Sequence, residues 1–166
     1  MSTHHAAPTT LPRLAVPHWS ASGALLWLLR LVTAAGLAID AFVHADLAPG
    51  YDPVAASISQ GDLFRIEAGF AAAAALLVLV AGRHWTVWAF ALGVALGGVA
   101  AVMVYRYVDI GAFGPFPDMY EPTWYPEKTA SVIAEAVAAV TAAAGLTLTW
   151  RQARRRAAEF RAGRRP

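Results

Sequence analysis

Asp40 and His44 stand four residues apart in DAFVHADL, at the close of an apolar run that opens at Gly23. On a helix that spacing puts a carboxylate and an imidazole on one face. Such a pair can hold a metal ion, relay a proton, or simply bind each other. Five more charged residues interrupt apolar stretches: Arg30 in the same run, and Arg65, Glu67, Arg106 and Glu135. Glu67 and Glu135 can extend Asp40 and His44 into a four-residue set for a divalent metal, as in bundles that hold metals with inward carboxylates and histidines. Arg65 and Arg106 can instead neutralise two of the acids.

The elements that must position these residues follow from composition. Of 166 residues, 58% are hydrophobic and only 14% charged, with a mean hydropathy of +0.48. A bilayer core of about 30 Å needs roughly 20 apolar residues in a helix. Four segments meet that length, at about 23–45, 63–82, 85–106 and 129–150. The expectation is an all-α fold, a four-transmembrane-helix bundle over 23–150, because a lipid-spanning backbone must satisfy its own hydrogen bonds. The shorter alternating strands of a membrane barrel are not visible. Small residues at Ala35–Ala38 suggest a signal-peptide cleavage site, but the stretch carries Arg30, is longer than a signal core and follows a tail of some twenty residues, so it reads as a retained span. The chain has no Cys, which excludes disulfides, thiolate metal sites and thiol redox chemistry.

Basic residues decide orientation. RQARRRAAEFRAGRRP at the C-terminus, Arg83 between the second and third spans and Arg13 in the N-terminal tail are set against two links, 46–62 and 107–127, that hold acids and no Lys or Arg. Both termini should lie in the cytoplasm and the protein in the plasma (inner) membrane. Trp19, Trp27, Trp85, Trp88 and Trp150 then fall near the inner boundary, and Tyr105, Tyr107, Trp124 and Tyr125 near the outer one. The partners implied are the lipid bilayer and, for the basic tail over 151–166, anionic lipid head groups. Nucleic acid is not implied.

Residues 1–22 read as a disordered tail, and the adjacent His4 and His5 lack further ligands for a metal. The first outer link has turn residues at Pro49–Gly50 and Asp52–Pro53, with Asp62 as a candidate helix N-cap. The second combines Gly111, Gly114, Pro115, Pro117, Pro122 and Pro126 with five aromatic residues, and predicts an ordered lid. Gly93 and Gly97 form a GxxxG that suits packing within the bundle, or a homodimer.

Helix position places Asp40, His44, Arg65, Glu67, Arg106 and Glu135 in the outer part of the membrane, with Arg30 alone in the inner half. A charge facing lipid costs roughly 2.5–3.5 kcal/mol at the centre and less toward the edge, so the six should face one another. Three readings compete: an ion-pair network that sets helix register, a metal site at Asp40, His44, Glu67 and Glu135, and a small-ligand or proton-linked site. Haem is disfavoured, because His44 and His84 fall on opposite membrane faces and cannot share one iron.

GDLFRIEAGFA in the second span and YRYVDIGAFGPFPDMYEPTWYPEKTASVIAEA around the lid resemble a group of four-span actinobacterial integral membrane proteins of no established activity. The likeness in layout covers about 31–150, and the Ala- and Arg-rich composition fits such a source. It implies a four-helix membrane protein and carries no catalytic residues across. The functional expectation is an accessory or structural membrane component, with a membrane-protein partner or a second copy of itself. The alternative is a metal- or small-ligand-binding protein, redox or proton-linked, using the polar cluster.

Overall fold

The structure, a computed structural model, describes residues 21–164. It is all-helical, with α1 (Ala21–Tyr51), α2 (Gln60–Ala81), α3 (Trp85–Tyr107) and α4 (Pro126–Ala162). All four helices are long and apolar enough to cross a membrane. Most of the expected N-terminal tail, His4 and His5 included, lies outside the described residues. α1 packs on α2 and α4, α4 also packs on α3, and α2 and α3 touch more sparingly.

Small residues face inward and large ones outward. Ala71, Ala74, Ala91, Ala95, Ala138 and Ala142 have no exposed surface, whereas Leu28, Phe42, Phe70, Leu76, Val80 and Val140 are each more than half exposed. A water-soluble bundle would show the reverse. In lipid the tails are as apolar as leucine, so helices gain by close backbone approach and not by hiding leucine. Gly36 lets α1 reach α4, where an added Cβ would stand 2.7 Å from the Ala134 carbonyl oxygen. Gly145 of α4 seats the Trp88 ring, the largest buried side chain, whose indole N–H donates to the Gly82 carbonyl at 2.7 Å. Trp88 therefore sits near the helix end as expected, but as a packed core residue.

The GxxxG expectation needs correcting for the bundle interior. A Cβ at Gly93 or Gly97 would meet nothing within 4 Å, and both positions are exposed. The buried face of α3 is formed by Trp88, Ala91, Ala95 and Gly98, which fall on another side of the helix.

Helix ends differ from expectation in three places. α1 continues through Pro49 to Tyr51, because a proline in the last turn forfeits a single backbone bond and its fixed φ suits the helix. Ser59, not Asp62, is the N-cap of α2: its hydroxyl accepts from the Asp62 N–H at 2.9 Å while the Asp62 carboxylate accepts from the Ser59 N–H, a capping box. α4 carries its helix through the basic segment to Ala162, so most of the stretch expected as a separate tail extends the fourth helix.

Between α3 and α4, residues 108–125 fold over one end of the bundle. Gly111 and Gly114 take φ of 69° and 58°, a left-handed conformation that favours glycine. Phe113 and Phe116 exchange two backbone hydrogen bonds, Ile58 N–H donates to Pro115 across the two links, and Glu121 N–H donates back to Tyr105. This lid and the α1–α2 link close the end at which Asp40, Glu67 and Glu135 lie.

Candidate functional site

The face that α1 turns toward α4 carries Asp40, and its next turn brings His44 over it. His44 Nδ1 lies 2.8 Å from Asp40 Oδ1, and Asp40 is fully buried while His44 is 12% exposed. Across the interface, Ser131 of α4 donates to Asp40 Oδ1 at 2.8 Å. Ser131 is one turn before Glu135 and stands 3.4 Å from its Oε1. A hydroxyl has one proton to give, so the shorter contact takes it and Glu135 gets little. Glu135 fits there because the facing residue of α3 is Gly98, where a Cβ would collide with the carboxylate.

One nitrogen of His44 and an oxygen from each of Asp40 and Glu135 lie within 4.8 Å of one another. At a tetrahedral ion the ligand atoms stand about 3.5 Å apart, so side-chain shifts on the order of an ångström would bring the three onto a common centre.

The other sequence candidates go elsewhere. Glu67 lies outside that three-residue group, although its Oε1 is buried without a hydrogen-bond partner. Arg65 turns away, donating to both oxygens of Asp52 at 2.7 and 2.8 Å and to Asp62 at 3.3 Å. Arg106 lies over the rings of Tyr107 and Trp124, at 5.0 and 5.6 Å. Among the described residues neither arginine forms an ion pair with Asp40, Glu67 or Glu135. Asp40 Oδ2 and Glu135 Oε2 are buried with no hydrogen-bond partner. The expected neutralisation by arginine is thus not what the geometry provides.

Beside this cluster is a cavity of about 280 Å³ under the lid. It is lined by His44, Glu67, Gly98 and Ser131, by Tyr51, Gln60, Glu121, Tyr125 and Lys128, and by apolar side chains such as Leu47, Leu63 and Phe64. The aromatic wall is tied together: His44 meets Phe64 edge-on at 5.1 Å, Phe64 leans on Tyr51 at 4.9 Å, and the Tyr51 and Tyr125 hydroxyls are 2.8 Å apart. Burial, followed by the Tyr51 hydrogen bond, holds the Tyr125 phenol above its ordinary value, so it remains neutral. Lys128 is 8% exposed and donates to the carbonyls of Glu121 and Thr123.

Ser131, Lys128, Gly98 and the Tyr51–Tyr125 pair are site residues that the sequence reading passed over. Helical spacing was available as a signal for two of them, since Ser131 is four before Glu135 and Lys128 three before Ser131. Comparison with protein-family models, curated proteins and solved structures finds no match.

Proposed function

We propose that this protein is a multi-pass membrane protein that binds a divalent transition-metal ion at Asp40, His44 and Glu135, beneath an extracytoplasmic lid. The carrying observation is the pair of buried, partnerless carboxylate oxygens on Asp40 and Glu135, with no arginine or lysine among the described residues bound to either. A buried carboxylate is tolerated when paired or when it coordinates a metal. One imidazole with two carboxylates is a donor set for ions such as Zn²⁺ or Mn²⁺. The ion would supply the charge that the arginines do not, and a Lewis-acid centre beside the cavity.

The same reading sets the protein in the plasma membrane with both termini cytoplasmic. Arg83 and the arginines from Arg151 to Arg164 collect at the end opposite the lid, where anionic lipid head groups suit them. An accessory or structural role, with the cluster merely fixing helix register, requires the acids to be neutralised within the chain. Arg65 and Arg106 are engaged elsewhere, and among the described residues His44 pairs with Asp40 alone.

Elemental analysis of the detergent-purified protein tests this beside His44→Ala and Glu135→Ala, each checked for helix content by circular dichroism. Near-stoichiometric metal in the wild type, lost in both folded variants, is expected. A folded wild-type protein that neither retains metal nor takes up added Zn²⁺ or Mn²⁺ would sink the assignment.

A further inference from the structure

Of the three cluster residues Asp40, His44 and Glu135, only His44 lines the cavity under the lid, so most of its wall has no part in that cluster. Its volume of about 280 Å³ equals that of about nine water molecules at ~30 Å³ each, room for an occupant of roughly ten non-hydrogen atoms. Val43, Leu47, Leu63 and Val102 make part of the wall apolar, and water alone would lack partners there.

The charged groups of the wall are Glu67, Glu121 and Lys128, with His44 beside them. Lys128 is engaged locally: its ammonium donates to the Glu121 and Thr123 carbonyls and, among the described residues, forms no ion pair. Glu121 is also served, its Oε1 accepting from the Thr123 N–H at 3.0 Å. Glu67 is not. Its Oε1 is buried without a hydrogen-bond partner, and among the described residues no basic side chain forms an ion pair with it. The wall therefore lacks both a donor and a cation at Glu67.

Tyr51, Phe64, Tyr105 and Tyr125 also line the cavity. Aromatic faces attract ammonium groups. The chain already makes one such contact, since Lys128 Nζ lies 5.7 Å from the centroid of the Tyr125 ring. An anionic occupant would add like charge to an acidic wall in a low-dielectric setting. A neutral alcohol could donate to Glu67, but it brings no charge to the bond and gains less from the rings. An amine serves Glu67 in either form: as an ammonium it pairs with the carboxylate, and as a free base it takes the proton of the carboxylic acid and becomes that ammonium.

We infer that the cavity binds a small lipophilic amine as its ammonium ion, paired with Glu67 and packed among Tyr51, Phe64, Tyr105 and Tyr125. Amine binding does not require an ion at Asp40, His44 and Glu135, because Glu67 lies outside that group.

The experiment titrates the full chain in phosphatidylcholine nanodiscs by isothermal calorimetry at neutral pH, with empty nanodiscs subtracted and metal content read on the same samples. Three probes of similar size are compared: 2-phenylethylamine, its neutral isostere 2-phenylethanol, and phenylacetate. The amine should bind saturably, one per chain, and roughly tenfold or more tighter than the other two, the scale of a charge-assisted hydrogen bond. Glu67→Gln should lower its affinity by a similar factor, and Val102→Trp, which fills the cavity, should abolish binding. Circular dichroism checks that both variants keep their helices. No saturable binding of the amine, equal or tighter binding of the alcohol or of phenylacetate, or undiminished binding to folded Glu67→Gln would overturn the inference. A wild-type protein that takes the amine but holds no metal keeps this site and loses the metal-binding reading; one that holds metal and ignores the amine does the reverse.

Discussion

The two ends of the bundle use one device for opposite purposes. At the basic end, Gly145 of α4 makes room for Trp88 of α3, and the indole N–H finds the Gly82 carbonyl. At the lid end, Gly98 of α3 makes room for Glu135 of α4, and one carboxylate oxygen finds nothing. A glycine that admits a large apolar ring secures packing. A glycine that admits a carboxyl group with an unpartnered oxygen leaves a polar demand unmet. The basic end is not free of strain of this kind, since Arg30 Nε is also buried without a hydrogen-bond partner, but its guanidinium lies over Trp27 at 4.7 Å.

This contrast can be broken in order of effect. Trp88→Ala should cost about 3–5 kcal/mol in unfolding measured in detergent, the usual range for emptying an aromatic core position, with metal content retained. Loss of metal in a folded Trp88→Ala protein would mean that the two ends are not separable. Gly98→Val should cost about 1–3 kcal/mol through overpacking and should also release the metal, because the new side chain occupies the Glu135 carboxylate's place. Retained stoichiometric metal would contradict the site geometry.

Glu135→Leu sharpens the comparison by its sign. Replacing an uncompensated buried acid with an apolar residue should leave the metal-free protein more stable, on the order of 1 kcal/mol, while abolishing metal binding. A large destabilisation of the metal-free protein would show that the carboxylate is satisfied within the chain. The smallest effect belongs to the exposed Asp52–Arg65 pair outside the cluster. The Arg65 hydrogen bonds hold the Asp52 carboxyl below its ordinary value. Its folded value is thus below its unfolded one, so its contribution is fully present above about pH 4 and fades as pH falls through the folded value. Unfolding curves of Asp52→Asn and wild type should differ near neutral pH and converge in acid; a gap that persists in acid would exclude the Asp52 carboxylate as its source.

The four helices could be read from hydropathy because lipid demands length and apolarity in plain runs, and α2 and α3 end within a few residues of their expected positions. The position of each charge along its helix was equally legible, since rise per residue is fixed. Direction around the axis was harder. Arg65 and Glu67 are two positions apart, so their side chains leave α2 roughly 200° apart, and both could not face one cluster. Asp40 and His44 share a face by spacing, but that Ser131 would bridge Asp40 to α4 depends on how α1 and α4 meet at Gly36, which no local pattern specifies. Gly93 and Gly97 misled for the same reason: a small-residue motif marks a helix face without saying whether that face turns inward.

The alanine interior also determines how the chain can vary. Positions such as Ala71, Ala74, Ala95, Ala138 and Ala142 have only glycine as a smaller neighbour in side-chain size. Nearly every substitution there adds volume, and the typical cost of overpacking is about 1–3 kcal/mol. The outward leucines, valines and phenylalanines can exchange among themselves with little consequence. In a soluble relative of this architecture the variable skin would be polar and the constrained core large; here, a few large residues such as Trp88 and Leu37 apart, most of the constrained apolar positions are alanines, and the drift permitted to the sequence is concentrated in its most hydrophobic letters.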